Sequence, residues 1–218
     1  MIADCVSYPK SGRSWLRYML RVAGHGEAVR FHHDGFEFND GRKPAHNFEL
    51  SARLRRYAAD DRVIYLERDP RDVMVSLYHQ VTGRFADFFD YRGSISEFLR
   101  DDYFGASTLA EFRRMWRTVL MERSYLHLTY EEMHADTVRA LRRVLSYLEL
   151  DASDADIAAS VEQGRFENMQ SVEMSGQFDE PWLRTRNGFP KVRSGKVGSY
   201  HLLSQEDVEY LNRIFFVV

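Results

Sequence analysis

The chain has 218 residues, of which 44% are hydrophobic and 29% charged, a composition that supports one packed domain and is untypical of a disordered chain. Its 30 Lys and Arg against 33 Asp and Glu give a net charge of −3, which disfavours a nucleic-acid-binding protein and means that any anionic ligand is held by a local basic patch. The single cysteine, Cys5, excludes an internal disulfide framework and fits a reducing, cytoplasmic location. No apolar stretch has the length of a membrane span, so no membrane partner is expected.

The first half of the chain predicts two strands, each followed by a polar turn and a helix. A short apolar run over residues 2–8 predicts the first strand, and apolar residues recur at helical spacing from Trp15 onward. Residues 25–47 are polar and lack a clear period, which predicts a long loop. The next predicted elements are a short helix over 50–59, a second strand over 63–66 and a helix from Pro70.

The second half continues this alternation. Its predicted elements are an irregular aromatic segment over 85–94, an amphipathic helix over 109–120, a third strand over 125–130, helices over 141–148 and 154–163, a glycine-containing loop over 174–200 and a last helix capped by Ser204. Strands that alternate with helices predict an α/β fold. We expect one domain over residues 1–218, with a central, mainly parallel sheet flanked by helices and a P-loop-like nucleotide-binding core.

The strongest functional signal is the turn after the first strand, Lys10-Ser11-Gly12-Arg13-Ser14. A turn that leads from a strand into a helix presents free backbone N–H groups to an anion, and here a Lys, an Arg and two Ser surround one Gly. A capped helix with surface cations would explain Gly-Arg-Ser alone, but not the whole cluster. The turn is not a Walker A loop, in which the lysine follows the last glycine.

The segment from Tyr8 to Leu16, which contains this turn, resembles the 5′-phosphosulfate loop of the cytosolic-type sulfotransferases. This family uses 3′-phosphoadenosine 5′-phosphosulfate (PAPS) as its sulfuryl donor and releases PAP. The resemblance implies that the segment binds the donor and that its tryptophan stacks on the adenine. The donor-binding residues implied here are Lys10, Ser11, Gly12, Arg13, Ser14 and Trp15.

Further matches follow the second and third predicted strands. The segment from Arg68 to Ser76 resembles the family's 3′-phosphate motif. Arg68 and Ser76 fall at the positions where the family has the side chains that bind the 3′-phosphate. Tyr130 opens a segment similar to the family's Tyr-Glu-Asp-Met, and Phe166 opens one similar to its Phe-x-x-Met. The resemblance implies that both aromatic side chains contact the adenine, although core packing would also explain them.

The segment from Arg193 to Tyr200 resembles the family's Arg-Lys-Gly-x-x-Gly-x-Trp sequence, which closes over the 3′-phosphate. Arg193, Ser194 and Gly195 are the residues that the resemblance assigns to the donor. Ser194 stands where the family has a lysine, and Tyr200 where it has a tryptophan. Lys196 is a nearby source of the missing charge.

The same family places a catalytic histidine, usually as Lys-Thr-His, before the strand that leads to the 3′-phosphate motif. Pro44-Ala45-His46 occupies that position, which implies His46 as the general base and Lys10 as the cation that neutralises the bridging oxygen. His32 and His33 in the same predicted loop are the alternatives. No His, Asp or Glu cluster has metal-ligand spacing, and the family's transfer needs no metal.

The resemblance therefore implies a PAPS-dependent sulfotransferase that modifies a hydroxyl or an amine. Two alternatives stay open: a P-loop-type small-molecule kinase, and a catalytically inactive module that binds PAP or another nucleotide. The acceptor, a small molecule or a carbohydrate, is not defined by the sequence, and neither are the oligomeric state and a C-terminal tail. Residues that either line the acceptor pocket or belong to the core are Phe85, Phe88, Phe89 and Tyr91, and polar neighbours suited to a sugar are Arg84, Asp87 and Arg92.

Overall fold

The computed structural model describes residues 2–38, 42–57, 62–176, 178 and 180–216. Within this part, four strands form one sheet in the order β2-β1-β3-β4, and every pair of neighbours is parallel. The strands are β1 (Ala3–Val6), β2 (Val29–His32), β3 (Val63–Glu67) and β4 (Leu126–Thr129). The predicted α/β fold with a parallel central sheet is confirmed.

Helices cover both faces of the sheet. They are α1 (Arg13–Val22), α2 (Leu50–Arg56), α3 (Pro70–His79), α4 (Ala86–Phe89), α5 (Ile95–Arg100), α6 (Ala106–Met121), α7 (Tyr130–Ala135), α8 (Thr137–Leu148), α9 (Asp154–Gln163), α10 (Phe166–Ser175) and α11 (Gln205–Phe215). A π turn, Gln80–Arg84, extends α3, and 3₁₀ turns lie at Pro181–Leu183 and Ser199–Leu202. The last helix begins as predicted, because the Ser204 hydroxyl accepts a hydrogen bond from the Asp207 N–H.

The sheet is buried on both sides because alternate residues of each strand point to opposite faces. On β3, Val63 and Tyr65 pack into one hydrophobic cluster with α3, α5 and α6. The intervening Ile64 and Leu66 pack into a second cluster with α1, α8 and α9. The two clusters hold the sheet rigidly, so the turns at its carboxyl edge start from fixed points.

Strand β2 differs from the prediction of a continuous loop over 25–47. It pairs with β1, and Phe31 lies opposite Cys5 in the register. Only Val29 of its four residues is buried, because β2 lies at the edge of the sheet. A four-residue strand with one buried position has no apolar pattern long enough to separate it from a loop, so the prediction of three strands was short by one.

The strand order determines where a ligand would bind. The chain leaves β1 toward β2 on one side and then crosses back to β3 on the other side. In open α/β sheets of this kind, ligands bind outside the carboxyl ends of the strands at such a reversal of direction. The turns that follow β1, β2, β3 and β4 therefore surround the expected site.

Candidate active site

A cavity of about 630 Å³ opens at this carboxyl edge. Its wall brings together the segments that the sequence assigns to the donor, although these are far apart in the chain. The predicted residues that line it are Lys10, Gly12, Arg13, Ser14, Trp15, Arg68, Ser76, Tyr130, Phe166, Arg193, Ser194 and Gly195. Ser11 is buried and is not part of the wall.

The loop after β1 turns sharply before α1. Lys10 and Gly12 both have left-handed backbone conformations, with φ angles of 77° and 100°. Gly12 is the N-cap residue of α1, and no side chain caps the helix there. Arg13 and Ser14 open α1 on the cavity wall, and the N-terminus of a helix favours an anion.

Gly12 is also required by close packing. A Cβ atom at this position would lie 2.6 Å from Cδ2 of Tyr130, the first residue of α7. The Tyr130 ring contacts the indole of Trp15, with centroids 5.5 Å apart, and the guanidinium of Arg68 lies 4.2 Å from its centroid. Side chains from three strand ends thus pack against one another around the first loop.

Arg68 joins the first loop to the last. Its Nη1 donates to the carbonyl of Lys10 at 3.3 Å, and its Nη2 donates to the carbonyl of Lys196 at 2.9 Å and to the carboxylate of Asp72 at 3.4 Å. Its Nε is buried and has no hydrogen-bond partner. A cation on the wall with an unused N–H group fits an oxyanion of a bound ligand.

Asp72 fixes the segment that contains Arg193. Its buried carboxylate accepts hydrogen bonds from the N–H groups of Gly198 at 2.8 Å and Tyr200 at 3.0 Å. The Tyr200 ring lies 3.7 Å from the guanidinium of Arg71. Tyr200, which stands where the family has a tryptophan, thus packs its ring against a cation of α3.

The same segment closes against α10. Gly195 has a φ of 61°, and a Cβ there would lie 2.6 Å from Cδ2 of Phe166. Lys196 does not supply the charge that Ser194 lacks, because its side chain is exposed and is not part of the wall.

Lys10 is the lysine of the first loop and is half-buried on the cavity wall. Its Nζ donates to Oε1 of Gln80 at 2.7 Å. Burial lowers the pKa of Lys10 well below its usual value, and the positive charges of Lys191, Arg84 and Arg68 lower it further. An anion placed among these cations would favour the charged ammonium again, so this part of the wall is suited to a negatively charged ligand.

His33 follows β2 directly and lies on the cavity wall. Its Nδ1 is 2.7 Å from the carbonyl oxygen of Ser7. Because a carbonyl only accepts, Nδ1 carries the proton and Nε2 is left as an acceptor. Burial lowers the pKa of His33 well below its usual value, and the charge of Arg13 lowers it further. The imidazole is therefore neutral, as a general base must be.

The other two candidate histidines lie away from this wall. His46 stacks on Tyr103 with ring centroids 4.4 Å apart, packs among phenylalanines and is not among the lining residues. The His32 imidazole contacts the carboxylate of Asp4 at 3.1 Å. His46, the histidine preferred from the sequence, thus lies away from the cavity, whereas His33, one of the two alternatives, lines it.

A further part of the wall, here called the acceptor side, consists of residues from the π turn and from the loop before Arg193, which carry none of the donor motifs. They are His79, Gln80, Thr82, Gly83, Arg84, Phe189, Pro190 and Lys191, of which Arg84 alone was a candidate from the sequence. The Arg84 guanidinium donates to the carbonyls of Arg184 at 2.8 Å and Phe189 at 3.3 Å, which anchors the loop to the π turn.

The aromatic residues considered for an acceptor pocket do not line this cavity. Phe85 is buried, Phe89 and Tyr91 pack against the first hydrophobic cluster, and Phe88 is exposed. Of their polar neighbours, Asp87 pairs with Arg186 and Arg92 pairs with Asp90. Both pairs lie at the surface, so Arg84 alone of the polar candidates belongs to the wall.

Comparison with known proteins identifies the family. The model of the sulfotransferase domain matches residues 5–216, and the chain belongs to this family. It is 25% identical to an amine sulfotransferase of Oryctolagus cuniculus and 24% identical to a 3-beta-hydroxysteroid sulfotransferase of Cavia porcellus. Both alignments cover 96% of this chain, and they cover 78% and 80% of the two relatives.

Solved structures agree on the fold. A mouse sulfotransferase in complex with PAP superposes with a TM-score of 0.69 at 18% identity, over 97% of this chain and 82% of the other. Retinol dehydratase in complex with androsterone and PAP superposes with a TM-score of 0.62 at 14% identity, over 97% and 78% of the two chains. The prediction of a PAPS-dependent sulfotransferase is confirmed, and the kinase alternative is not favoured.

The helices of the described residues are too short or too polar to span a membrane. No group of three or more His, Cys, Asp or Glu side chains in the described ranges is arranged to hold a metal ion.

Proposed function

We propose that this cavity binds PAPS and transfers its sulfuryl group to a hydroxyl or amine of a small-molecule or carbohydrate acceptor. The first loop and Lys10 hold the 5′-phosphosulfate, while Arg68, Ser76 and Arg193 hold the 3′-phosphate. The observation that carries this proposal is the position of Arg68, which contacts the first and last donor loops and keeps a buried Nε–H without a partner.

The adenine is placed between the aromatic side chains that the sequence assigned to it. Trp15 and Tyr130 pack edge to face beside the first loop, and the buried Nε1–H of Trp15 has no hydrogen-bond partner. Phe166 lies under the segment that holds Arg193. These rings supply apolar faces, and an unused indole N–H supplies one donor, for a purine base.

We assign the general base to His33 rather than to His46. The hydrogen bond from Nδ1–H to the Ser7 carbonyl fixes the tautomer, so Nε2 is free to accept the acceptor's proton. The acceptor oxygen or nitrogen bonds to sulfur as the bond from sulfur to the bridging oxygen breaks. The electron pair of that bond stays on PAP, where the charge of Lys10 stabilises it.

The finer assignments of acceptor and location rest on relatives. The names of two relatives specify amine and steroid acceptors, which supports a small molecule. A further relative, from Danio rerio, is named a cytosolic sulfotransferase, and the buried, unpaired thiol of Cys5 fits the same reducing compartment.

Calorimetry with PAP, compared with ATP and magnesium, tests donor binding. We expect saturable binding of PAP and no comparable binding of ATP, because the first loop lacks the Gly-Lys-Ser/Thr ending of a Walker A motif. Transfer of label from PAPS to an acceptor then separates an enzyme from an inactive module. Binding of ATP with magnesium in preference to PAP would contradict the proposal.

A further inference from the structure

The charge on the cavity wall is one-sided. Seven Lys and Arg side chains line the cavity, and no Asp or Glu is among the described residues that line it. The carboxylates that pair with two of these cations are buried: Asp72 accepts from Arg68, and Glu173 lies 3.6 Å from Arg84. Four of the seven, Lys10, Arg13, Arg68 and Arg193, are assigned to the anionic donor. Arg84, Arg165 and Lys191 remain for a bound acceptor, and no negative side chain lies on the described wall.

Part of this positive charge lies outside the donor loops. Lys191 belongs to the acceptor side, in the loop that Glu173 holds through hydrogen bonds from the N–H groups of Lys191 at 2.6 Å and Val192 at 2.8 Å. Its positive charge lowers the pKa of both Lys10 and His33. Burial is the larger cause for both residues, and for His33 the charge of Arg13 is also a larger cause.

The neighbouring π turn adds unused hydrogen-bond donors. Nε2 of Gln80 and Nε of Arg84 are both buried without a partner, and both residues line the cavity. They belong to one π turn, and π turns often occur at functional sites. Buried N–H groups without acceptors are unfavourable unless a ligand oxygen pairs with them.

We propose that the acceptor carries an oxyanion, a carboxylate or an ester sulfate or phosphate, which binds on the acceptor side between Lys191 and the π turn. This inference rests on the proposed function. It differs from the amine and steroid acceptors in the names of two relatives, because an ammonium group would meet only like charge on the described wall and a steroid would leave the buried donors unpaired.

Four phenols with the same reactive hydroxyl group test this charge preference. They are 3-(4-hydroxyphenyl)propionate, 2-(4-hydroxyphenyl)ethyl sulfate, 4-ethylphenol and tyramine, and calorimetry measures their binding to the protein saturated with PAP. We expect one or both anions to bind about tenfold or more tightly than the neutral phenol, and tyramine to bind most weakly. The affinities of the carboxylate and of the sulfate ester, compared with each other, show which oxyanion the site prefers.

Lys191→Gln should reduce the preference for anions to about twofold while PAP affinity stays unchanged within about twofold, because the lysine faces the acceptor. The exposed Lys196→Gln is the matched control and should keep the full preference. Equal binding of all four phenols, failure of both anions to bind, or preference for tyramine would overturn the inference. A loss of PAP affinity in Lys191→Gln would also overturn the inference. If the wild type does not bind PAP at all, the proposed function itself is refuted.

Discussion

The donor side and the acceptor side of the cavity are built in different ways. The donor side is made mainly of short segments that begin where β1, β3 and β4 end, so each is positioned by the strand before it. The acceptor side joins a π turn to a distant loop: Arg84 donates to the carbonyl of Arg184, 100 residues later in the chain. Local sequence therefore defines most of the first side, to which Asp72 joins the distant segment of Arg193, whereas long-range contacts define the second.

His33, which lines the cavity, gives the largest expected effect. His33→Asn removes the proton acceptor and should lower turnover by about 10²–10⁴, the usual contribution of general base catalysis. PAP affinity should change little, because the imidazole faces the acceptor. Labelled PAPS measures turnover, and calorimetry measures PAP binding.

His46→Asn is the matched control for this variant. His46 packs against Tyr103 away from the cavity wall, so its replacement should leave turnover within a fewfold of the wild type. If His46→Asn abolishes turnover while His33→Asn retains it, the sequence-based assignment is correct and ours is wrong.

Glu173 tests whether the acceptor side depends on long-range contacts. Its buried carboxylate accepts from the N–H groups of Lys191 and Val192 and lies 3.6 Å from Arg84. Glu173→Gln leaves the Arg84 charge unbalanced, and we expect a loss of about 3 kcal/mol in the free energy of unfolding. Denaturant unfolding measures this loss.

Glu180→Gln provides the control, because Glu180 forms a partly exposed ion pair with Arg21. An ion pair of that kind contributes about 0–1 kcal/mol, so the variant should be nearly as stable as the wild type. Equal stability of the two glutamate variants would show that the acceptor side does not depend on the buried carboxylate.

Arg68 tests the donor side. Arg68→Ala removes a charge-assisted contact to the 3′-phosphate and should weaken PAP binding by about 1.5–3 kcal/mol. Arg68→Lys keeps the charge but loses the bidentate geometry and should recover only part of the affinity. Adenosine 5′-phosphosulfate, which lacks the 3′-phosphate, should bind the wild type and Arg68→Ala alike. A similar loss for both ligands would place the arginine elsewhere on the donor.

The sequence was sufficient to predict many of the residues that line the cavity, because its signals are local. A strand, a turn with Gly12 and the helix after it occupy one short segment, and the same holds for Arg68 and Ser76 on β3 and α3. The α/β order of elements followed from the same periodic signals. The acceptor side has no such signal, since nothing in the sequence around Glu173 indicates that it holds the loop at Lys191.

The choice of histidine depended on an unrecognised strand. Residues 29–32 were interpreted as loop because only Val29 is buried there. Once β2 is placed beside β1, His33 follows its carboxyl end and must lie at the same edge of the sheet as the first loop. The alternation of the apolar residues Val29 and Phe31, followed directly by two histidines, was the signal that could have placed His33 at the end of a strand.

The smallest expected effect concerns the stability of the protein at mildly acidic pH. Burial lowers the pKa of His33 well below 6.5 in the folded chain, so the unfolded chain binds a proton at a higher pH than the folded one. Stability should therefore be unaffected by this group above about pH 7.5 and fall as the pH drops below about 6.5. This loss develops between about pH 7.5 and 5.5, where the histidine of the unfolded chain takes up its proton. The variant His33→Asn lacks this acid-induced loss. Burial also lowers the pKa values of His79 and His46, but these two residues contribute equally to the wild type and to the variant. Denaturant unfolding at the two pH values should thus show a smaller acid-induced loss in His33→Asn than in the wild type. An equal loss would mean that the pKa of His33 in the folded chain stays near its usual value, and hence that solvent reaches its Nε2.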